Sequence, residues 1–180
     1  IVNVGRKYFG MTERNLNVYE EDGRTFLETT NRKYNVVAID AFQQPYIPFQ
    51  LTTREFFSIV RSHLSPDGVV ALNTGHTTTD YRLVQAFVNT LSQVFPSVYV
   101  FNVPGTFNTE VMATMQRTSI TTFRQNLSQF APGSVMGQVA DEVLPVVAQG
   151  HANGGLVFTD DRAPIEAITD QLLLDYIQQH

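Results

Sequence analysis

The 180-residue chain contains no cysteine and no tryptophan, and it has few basic residues. The lack of cysteine excludes disulfide bonds, thiolate metal sites and a cysteine nucleophile. Its 12 Lys and Arg residues stand against 17 Asp and Glu residues, which gives a formal net charge of -5. Because a nucleic-acid-binding face requires clustered Lys and Arg, no nucleic-acid partner is expected. An acidic field of this kind mildly favours cationic ligands.

Long hydrophobic runs are also missing. No apolar run approaches the roughly 20 residues that span a bilayer, and residues 1–7 lack the charged-then-apolar order of a signal peptide. A chain without cysteine fits a reducing compartment. The expected location is therefore cytoplasmic, or the soluble part of a membrane-anchored protein. Because the chain shows no repeat, low-complexity tract or linker, residues 1–180 are expected to form a single domain.

Hydrophobic periodicity predicts an alternation of helices and strands. The predicted strands are 16–20, 34–39, 69–73, 98–103 and 110–116, with a short extended segment at 156–158. The predicted helices are 1–9, 24–30, 55–64 (capped by Thr52 or Thr53), 81–95 and one opened by Pro164, with helical pieces between 119 and 150. Strands 98–103 and 110–116 are expected to pair antiparallel through the Pro104-Gly105 turn. This order is typical of an α/β fold whose sheet is mostly parallel with an antiparallel edge.

An ordered series of short segments carries a family resemblance. The segments are Asp22-Gly23-Arg24-Thr25-Phe26-Leu27, residues 33–42, Pro45-Tyr46-Ile47-Pro48, residues 51–57, residues 64–69 and residues 159–166. In this order they resemble the spermidine synthases, a family of polyamine aminopropyltransferases, over most of residues 1–75 and 155–170. The resemblance implies a Rossmann-like, methyltransferase-like fold. It also implies transfer of an aminopropyl group from decarboxylated S-adenosylmethionine to putrescine or a related amine, leaving methylthioadenosine.

The resemblance assigns roles to two aspartates, Asp22 and Asp40, and three nearby residues are further candidates. Asp22 and Gly23 would contact the adenine of the nucleotide, and Asp40 would lie beside the attacking amine. The amine must be neutral and aligned when it attacks a carbon next to a sulfonium. A carboxylate at the carboxyl end of a central parallel strand can orient that amine and take its proton. Gln43 and Tyr46 are candidate contacts to the amine. Tyr46 and Phe42 can form an aromatic wall for its aliphatic chain, and packing in the core or at its rim explains the two rings equally well.

The chain departs from the family pattern at two places. Family enzymes usually have a second Asp three residues after the first, whereas this chain has Gln43, which can bind an ammonium but cannot balance its charge. The glycine-rich turn after the first strand and the acidic residue that ends the second strand have no counterpart here. We therefore expect a domain that lacks the first two family strands. An upstream segment or a homo-oligomer is expected to complete the sheet, because unpaired strand edges seek partners.

Alternative interpretations remain open at this point. The chain is compatible with an S-adenosylmethionine-dependent methyltransferase, or with an inactive truncated domain that acts only as an assembly surface. Asp22 can simply cap a helix, and Asp160-Asp161 is better explained as a turn before Pro164 than as an ammonium site. His76 has only Asp80 as a weak partner at ligand spacing, so no metal site is expected.

Overall fold

The computed structural model describes residues 2–41 and 46–179, which contain seven α-helices and five strands. The helices are α1 (Val2–Tyr8), α2 (Gly23–Thr29), α3 (Arg54–His63), α4 (Arg82–Ser92), α5 (Ile120–Leu127), α6 (Val135–Val143) and α7 (Ile165–Gln179). The strands are β1 (Tyr34–Ile39), β2 (Leu64–Gly75), β3 (Ser97–Asn102), β4 (Asn108–Thr114) and β5 (Ala148–Gln149). Within these residues, no helix is both long and apolar enough to cross a membrane.

The five strands form a mixed sheet in the order β1-β2-β4-β3-β5. Strands β1 and β2 are parallel and are connected through α3, as a parallel pair requires. Strand β4 lies antiparallel to β2 and β3, and β5 pairs antiparallel with β3. The predicted hairpin is confirmed, and Gly105 in its turn has a φ of 74°, a conformation that glycine adopts without strain. The α/β, Rossmann-like class with an antiparallel edge is likewise confirmed.

Polar side chains determine where several helices begin. Asp22 caps α2, Thr53 caps α3, Ser119 caps α5 and Ser134 caps α6, each accepting a hydrogen bond from a free backbone N–H. Of the two predicted caps of α3, Thr53 makes the bond, with its Oγ1 at 3.1 Å from the backbone N of Phe56. Helices α2 and α3 contact each other, and α3 also contacts β2.

The main core lies between one face of the sheet and the helices α3 and α4. Alternate residues of β2 and β4 point to this face and are almost fully buried: Val70, Leu72, Val111 and Ala113. The two helices contribute large apolar side chains: Phe56, Phe57, Val60, Leu83, Phe87 and Leu91. Full burial of one such side chain stabilises the fold by about 1.5–3 kcal/mol. The core therefore fixes the position of β1 and β2, whose carboxyl ends lie side by side at the same end of the sheet.

The edge of β1 and the opposite face of the sheet are more exposed to solvent than the face that packs on α3 and α4. Val36 is 60% exposed, and Ala38 and Asp40 are exposed as well. Among the residues that the structure describes, β1 has a hydrogen-bonded neighbour on one side alone. The backbone N–H and C=O groups along the other side of β1 are therefore available for pairing with a further strand.

Two sequence predictions differ from the structure near the ends of the chain. Residues 16–20 were predicted as a strand but form none, because they pair with no described strand and a strand requires a hydrogen-bonded neighbour. Tyr19 in this segment packs instead against Phe26 of α2, with 4.7 Å between the ring centroids. Strand β5 is absent from the predictions, since two residues are too short for any periodicity.

Candidate functional site

Asp22 lies at the beginning of α2, where its carboxylate caps the helix. Its Oδ1 accepts hydrogen bonds from the backbone N–H groups of Arg24 and Thr25, both at 3.0 Å. The hydrogen bond from Thr25 is the main reason that the pKa of Asp22 lies below its ordinary value, and bonds from Gln50 and Arg24 act in the same direction. The capping interpretation of Asp22 is therefore confirmed, and this side chain is ionised at neutral pH.

The carboxylate of Asp22 can still accept a hydrogen bond from a ligand. Its Oδ2 accepts a hydrogen bond from Gln50 Nε2 at 3.3 Å, and an ionised carboxylate offers about four acceptor positions. Because capping uses Oδ1, an exocyclic amino group such as that of adenine can donate to Oδ2 while α2 stays capped. Gly23 follows directly and has no side chain that would obstruct such an approach.

Gly23 and Asp40 line the same groove, which has a volume of about 440 Å³. The groove runs between α2 and β1, and its other lining residues are mostly apolar: Phe26, Leu27, Tyr34, residues 36–39, Ala41, Leu51 and Phe56. A groove of this size with apolar walls and a few polar groups is typical of small-molecule sites. The structure thus brings together two residues that the sequence proposes for the nucleotide and the amine.

Asp40 belongs to a row of acceptor groups that crosses β1 and β2 at their carboxyl ends and the antiparallel β4 near its amino end. It follows Ile39, which pairs with Leu72 of β2, so Asp40 and Asn73 occupy corresponding positions on the two strands. Asn73 in turn pairs with Glu110 of β4. Since residues at corresponding positions share a face of the sheet, the row consists of two carboxylates with an amide between them. The Oδ1 of Asn73 is buried and has no hydrogen-bond partner among the described residues.

The charge state of Glu110 reflects this neighbourhood. Burial raises the pKa of Glu110 above its ordinary value, and the negative charge of Asp40 raises it further. Neither carboxylate forms an ion pair with a basic side chain in residues 2–41 and 46–179. Asp40, Glu110 and the amide oxygen of Asn73 therefore form a group of acceptors without a basic partner among the described residues. Such a group favours a cationic hydrogen-bond donor.

Sequence reasoning did not single out Glu110 or Asn73. The one available signal was a charged residue at the start of the predicted strand 110–116, which is otherwise rich in apolar side chains. Only the register of β2 against β4 shows that Glu110 lies near Asp40. Register across an antiparallel pair depends on strands that are distant in sequence, so a single sequence does not specify it.

The two proposed amine contacts lie in the segment that follows Asp40. Tyr46 donates a hydrogen bond from its hydroxyl to Asp170 Oδ1 of α7 at 2.7 Å, and this bond raises the pKa of Tyr46 above its ordinary value. Gln43 lies outside the described residues. Tyr46 is therefore connected to α7 through Asp170.

Asp160 has a structural role, as the sequence interpretation favoured. Its two carboxylate oxygens accept hydrogen bonds from Arg24 at 2.8 and 2.7 Å, and Oδ1 also accepts one from Thr53 Oγ1 at 2.6 Å. The hydrogen bonds from Arg24 lower the pKa of Asp160 from 3.8 to about 2. Asp160 therefore connects the beginnings of α2 and α3 to the turn before α7, and its carboxylate is occupied by these partners.

The structure describes no cluster suited to a metal ion. Within residues 2–41 and 46–179, no three His, Asp or Glu side chains are grouped closely enough to hold one. Asp80, the weak partner considered for His76, instead binds Arg82, with 2.8 Å between Oδ2 and Arg82 Nε. His63 is bonded to backbone carbonyl groups, including that of Thr30 at 3.0 Å.

Comparison with known sequences places these features in one family. The family model described as the spermine/spermidine synthase domain matches residues 1–136. A probable polyamine aminopropyl transferase from Bifidobacterium longum is 31% identical over 176 residues, covering 86% of this chain and 39% of that protein. A polyamine aminopropyltransferase from Vibrio vulnificus is 31% identical over 113 residues, covering 61% of this chain and 37% of that protein. The chain thus spans less than half the length of these two relatives.

Comparison with solved structures supports the fold. A probable spermidine synthase from Corynebacterium glutamicum superposes with a TM-score of 0.67 at 19% identity, covering 90% of this chain and 61% of that one. A spermidine synthase in complex with the transition-state analogue AdoDATO has a TM-score of 0.63 at 18% identity, covering 81% of this chain and 54% of that one. Human methyltransferase-like protein 13, bound to SAH, has a TM-score of 0.59 at 21% identity, covering 77% and 72% of the two chains. Taken with the sequence match, these results establish that the chain belongs to the spermine/spermidine synthase domain family.

Proposed function

We propose that this chain carries the amine-binding and part of the nucleotide-binding surface of a polyamine aminopropyltransferase. The reaction is transfer of an aminopropyl group from decarboxylated S-adenosylmethionine to a small amine such as putrescine. The family match supports the transferase class. The groove between α2 and β1, lined by both Gly23 and Asp40, supports binding of the two reactants side by side.

The observation that carries the proposal is the row formed by Asp40, Asn73 and Glu110. It offers two carboxylates and an amide oxygen that has no partner among the described residues, beside the carboxyl ends of β1 and β2, where folds of this class bind ligands. A primary ammonium donates three hydrogen bonds, and its positive charge balances the negative charge of the two carboxylates. Glu110 also provides a negative charge near the amine, which Gln43 cannot provide.

The row also explains how the amine becomes reactive. An alkyl ammonium must lose a proton before its nitrogen can attack, and Asp40 is the candidate acceptor of that proton. The nitrogen then forms a bond to the aminopropyl carbon while the carbon–sulfur bond breaks. The electron pair of the broken bond stays on sulfur, so methylthioadenosine leaves as a neutral product. Glu110 balances the positive charge at the new secondary amine.

The remaining site assignments stay proposals of the same kind. Asp22 is proposed to accept a hydrogen bond from the adenine amino group through Oδ2, with Gly23 leaving room for the base. Gln43 and Tyr46 are proposed to contact the amine chain. Residues 1–180 are proposed to act as a single domain, and the cytoplasmic location remains a prediction.

We further propose that the free edge of β1 pairs with additional strands in the assembled protein. Val36, on this edge, is 60% exposed although it is a β-branched apolar residue in a strand. An upstream segment of the same polypeptide or a second copy of the chain can supply the partner strand. Light scattering on the chain with Val36→Lys distinguishes these sources. Loss of a dimer in the variant supports a second copy, whereas a monomeric wild-type chain contradicts it.

Steady-state kinetics with decarboxylated S-adenosylmethionine and putrescine test the catalytic proposal. Asp40→Asn is expected to lower kcat/KM at least about 100-fold, the usual contribution of a general base. Glu110→Gln is expected to raise KM for putrescine about tenfold with a smaller effect on kcat, because it removes charge without removing the base. Asp67→Asn, an exposed position at the other end of β2, is the matched control and should change neither.

Two outcomes contradict the proposal. Unchanged kinetics in Asp40→Asn would remove its assigned role as the proton acceptor. Equal effects of Asp67→Asn and Glu110→Gln would show that a general loss of charge, rather than the acceptor row, explains the change in KM. Circular dichroism on each variant verifies that the fold is intact before rates are compared.

A further inference from the structure

The segment between β5 and α7 contains the one asparagine of the chain that is followed by glycine, Asn153 before Gly154. Both residues are exposed and lie outside any helix or strand. The backbone nitrogen that follows an asparagine can attack the side-chain carbon Cγ and close a succinimide ring. Glycine lacks the Cβ that crowds this nitrogen, whereas every other asparagine of the chain precedes a residue with a side chain. The sequence therefore favours this reaction at position 153.

A hydrogen bond folds the side chain of Asn153 over the peptide that follows it. Its Oδ1 accepts a hydrogen bond from the backbone N–H of Gly155 at 2.9 Å. This bond closes a turn that contains both Cγ of Asn153 and the nitrogen of Gly154. Gly154 has a φ of 74°, a left-handed conformation that glycine adopts without strain. The two atoms that react are thus held in one compact turn before the reaction begins.

Asn89 of α4 holds Asn153 from the protein interior. The side chain of Asn89, which is 2% exposed, donates from Nδ2 to Asn153 Oδ1 and accepts from the backbone N–H of Asn153, both at 3.0 Å. Asn89 Oδ1 also accepts a hydrogen bond from Gln85 Nε2 at 3.1 Å, so the amide has a fixed orientation. Oδ1 of Asn153 therefore has two N–H donors, one from Asn89 and one from Gly155. When the nitrogen of Gly154 attacks Cγ, negative charge develops on this oxygen, and the two donors stabilise it as an oxyanion hole does.

The attacking and departing nitrogen atoms are not held by other groups. Within residues 2–41 and 46–179, neither the backbone N–H of Gly154 nor the side-chain Nδ2 of Asn153 donates a hydrogen bond. Because both residues are exposed, solvent can take the proton from the Gly154 nitrogen and give one to the departing amine. The folded chain thus activates the Cγ carbonyl and leaves the nucleophile and the leaving group accessible.

We propose that Asn153 and Gly154 form a self-modification site, at which the folded chain converts the asparagine to an acidic residue without another enzyme. The nitrogen of Gly154 forms a bond to Cγ and loses its proton to solvent. The bond between Cγ and Nδ2 breaks, its electron pair stays on nitrogen, and ammonia leaves after it takes up a proton. Water then opens the succinimide and leaves an aspartyl or isoaspartyl residue at position 153. The site shares no residue with the groove or with the acceptor row, so the conversion does not depend on the proposed transfer reaction.

Peptide mapping by mass spectrometry tests the proposal on the purified chain, incubated at pH 8 in water enriched in heavy oxygen. We expect position 153 to lose one ammonia and gain one heavy oxygen, whereas Asn31, which is also exposed but precedes Arg32, stays unmodified over the same time. Asn89→Ala should slow the conversion at least about tenfold, because it removes one of the two donors from the oxygen that becomes charged. Gly154→Ala should slow it as well, since the added Cβ crowds the nitrogen and meets no other atom within 4 Å.

The unfolded wild-type chain provides a comparison that requires no variant. In urea the chain keeps the Asn-Gly sequence but loses the donor from Asn89 and the turn, so the conversion at position 153 should be at least about tenfold slower than in the folded chain. This comparison decides the outcome if Asn89→Ala fails to fold. Three results would overturn the proposal: no conversion in the folded chain, equal or faster conversion in urea, and an unchanged or higher rate in a folded Asn89→Ala variant. Faster conversion in urea would show that the hydrogen bonds protect Asn153 instead of activating it.

Discussion

Replacement of Asp160 by asparagine tests the connection that holds the groove helix α2 in place. Asp160 accepts two hydrogen bonds from Arg24, at 2.8 and 2.7 Å, and one from the fully buried Thr53 at 2.6 Å. Its own N–H donates to Glu55 Oε2 at 3.0 Å. Asparagine has nearly the same size and keeps one acceptor oxygen, but it loses the charge and the two-point contact with Arg24. Asp160→Asn therefore removes the connection without creating a cavity.

The expected cost follows from the pKa of Asp160, which the hydrogen bonds from Arg24 lower from 3.8 to about 2. A change of that size corresponds to at most about 2.5 kcal/mol of stability. Because the side chain of Asp160 is 39% exposed, solvent screening reduces this contribution to about 1 kcal/mol. The weakened bond from Thr53 adds about 0.5–1 kcal/mol. The free energy of unfolding should therefore fall by roughly 1–2 kcal/mol at pH 7.

The pH dependence provides a second check with a defined sign. The folded-state pKa of Asp160 is depressed, so its contribution is present above the unfolded value near 4 and is lost as the pH falls toward 2. Urea unfolding followed by circular dichroism at pH 7, 4 and 2.5 should show the wild type and Asp160→Asn converging at low pH. Asp161→Asn, the neighbouring exposed acid, is the control. Equal stability at pH 7, or a difference that grows toward pH 2.5, would refute the reasoning.

Two further changes test the packing around the core. Asn89→Ala should lower the free energy of unfolding by about 2–4 kcal/mol in urea titrations. The side-chain amide of Asn89, which is 2% exposed, donates to Asn153 Oδ1 at 3.0 Å and to the Leu156 carbonyl at 3.1 Å. A loss below roughly 0.5 kcal/mol, the usual effect of a surface change, would contradict the role of these hydrogen bonds. Gly137→Ala should lower Tm and cost about 1–3 kcal/mol although alanine usually stabilises a helix, since the added Cβ would lie 2.3 Å from the Ala131 carbonyl oxygen. A higher Tm in calorimetry would count against that contact.

The elements that the sequence predicts correctly are those defined by local chemistry. The β-branched run 34–39 is a strand because such residues fit a pleated surface, and Thr53 begins α3 because its hydroxyl satisfies a free N–H. The hairpin of β3 and β4 forms because two segments with a clear strand pattern are joined by a turn that contains Gly105. In each case the determining residues are neighbours along the chain.

The elements that the sequence does not predict depend on contacts between distant segments. Residues 16–20 have strand-like composition, but no described strand lies beside them. Glu110 reaches the neighbourhood of Asp40 only through the pairing of β4 with β2. The buried Nε2 of His76, which has no partner among the described residues, likewise becomes visible only in the folded chain. Part of the candidate site is thus a property of tertiary register, which a single sequence does not specify.

Product analysis by mass spectrometry tests the central claim most directly. The chain is incubated with putrescine and equal concentrations of decarboxylated S-adenosylmethionine and S-adenosylmethionine. The account predicts spermidine and methylthioadenosine in a one-to-one ratio, and no methylated amine. Methylated putrescine with S-adenosylhomocysteine would identify a methyltransferase instead. No product from a chain that circular dichroism shows to be folded would contradict the account and favour a domain that acts only in assembly.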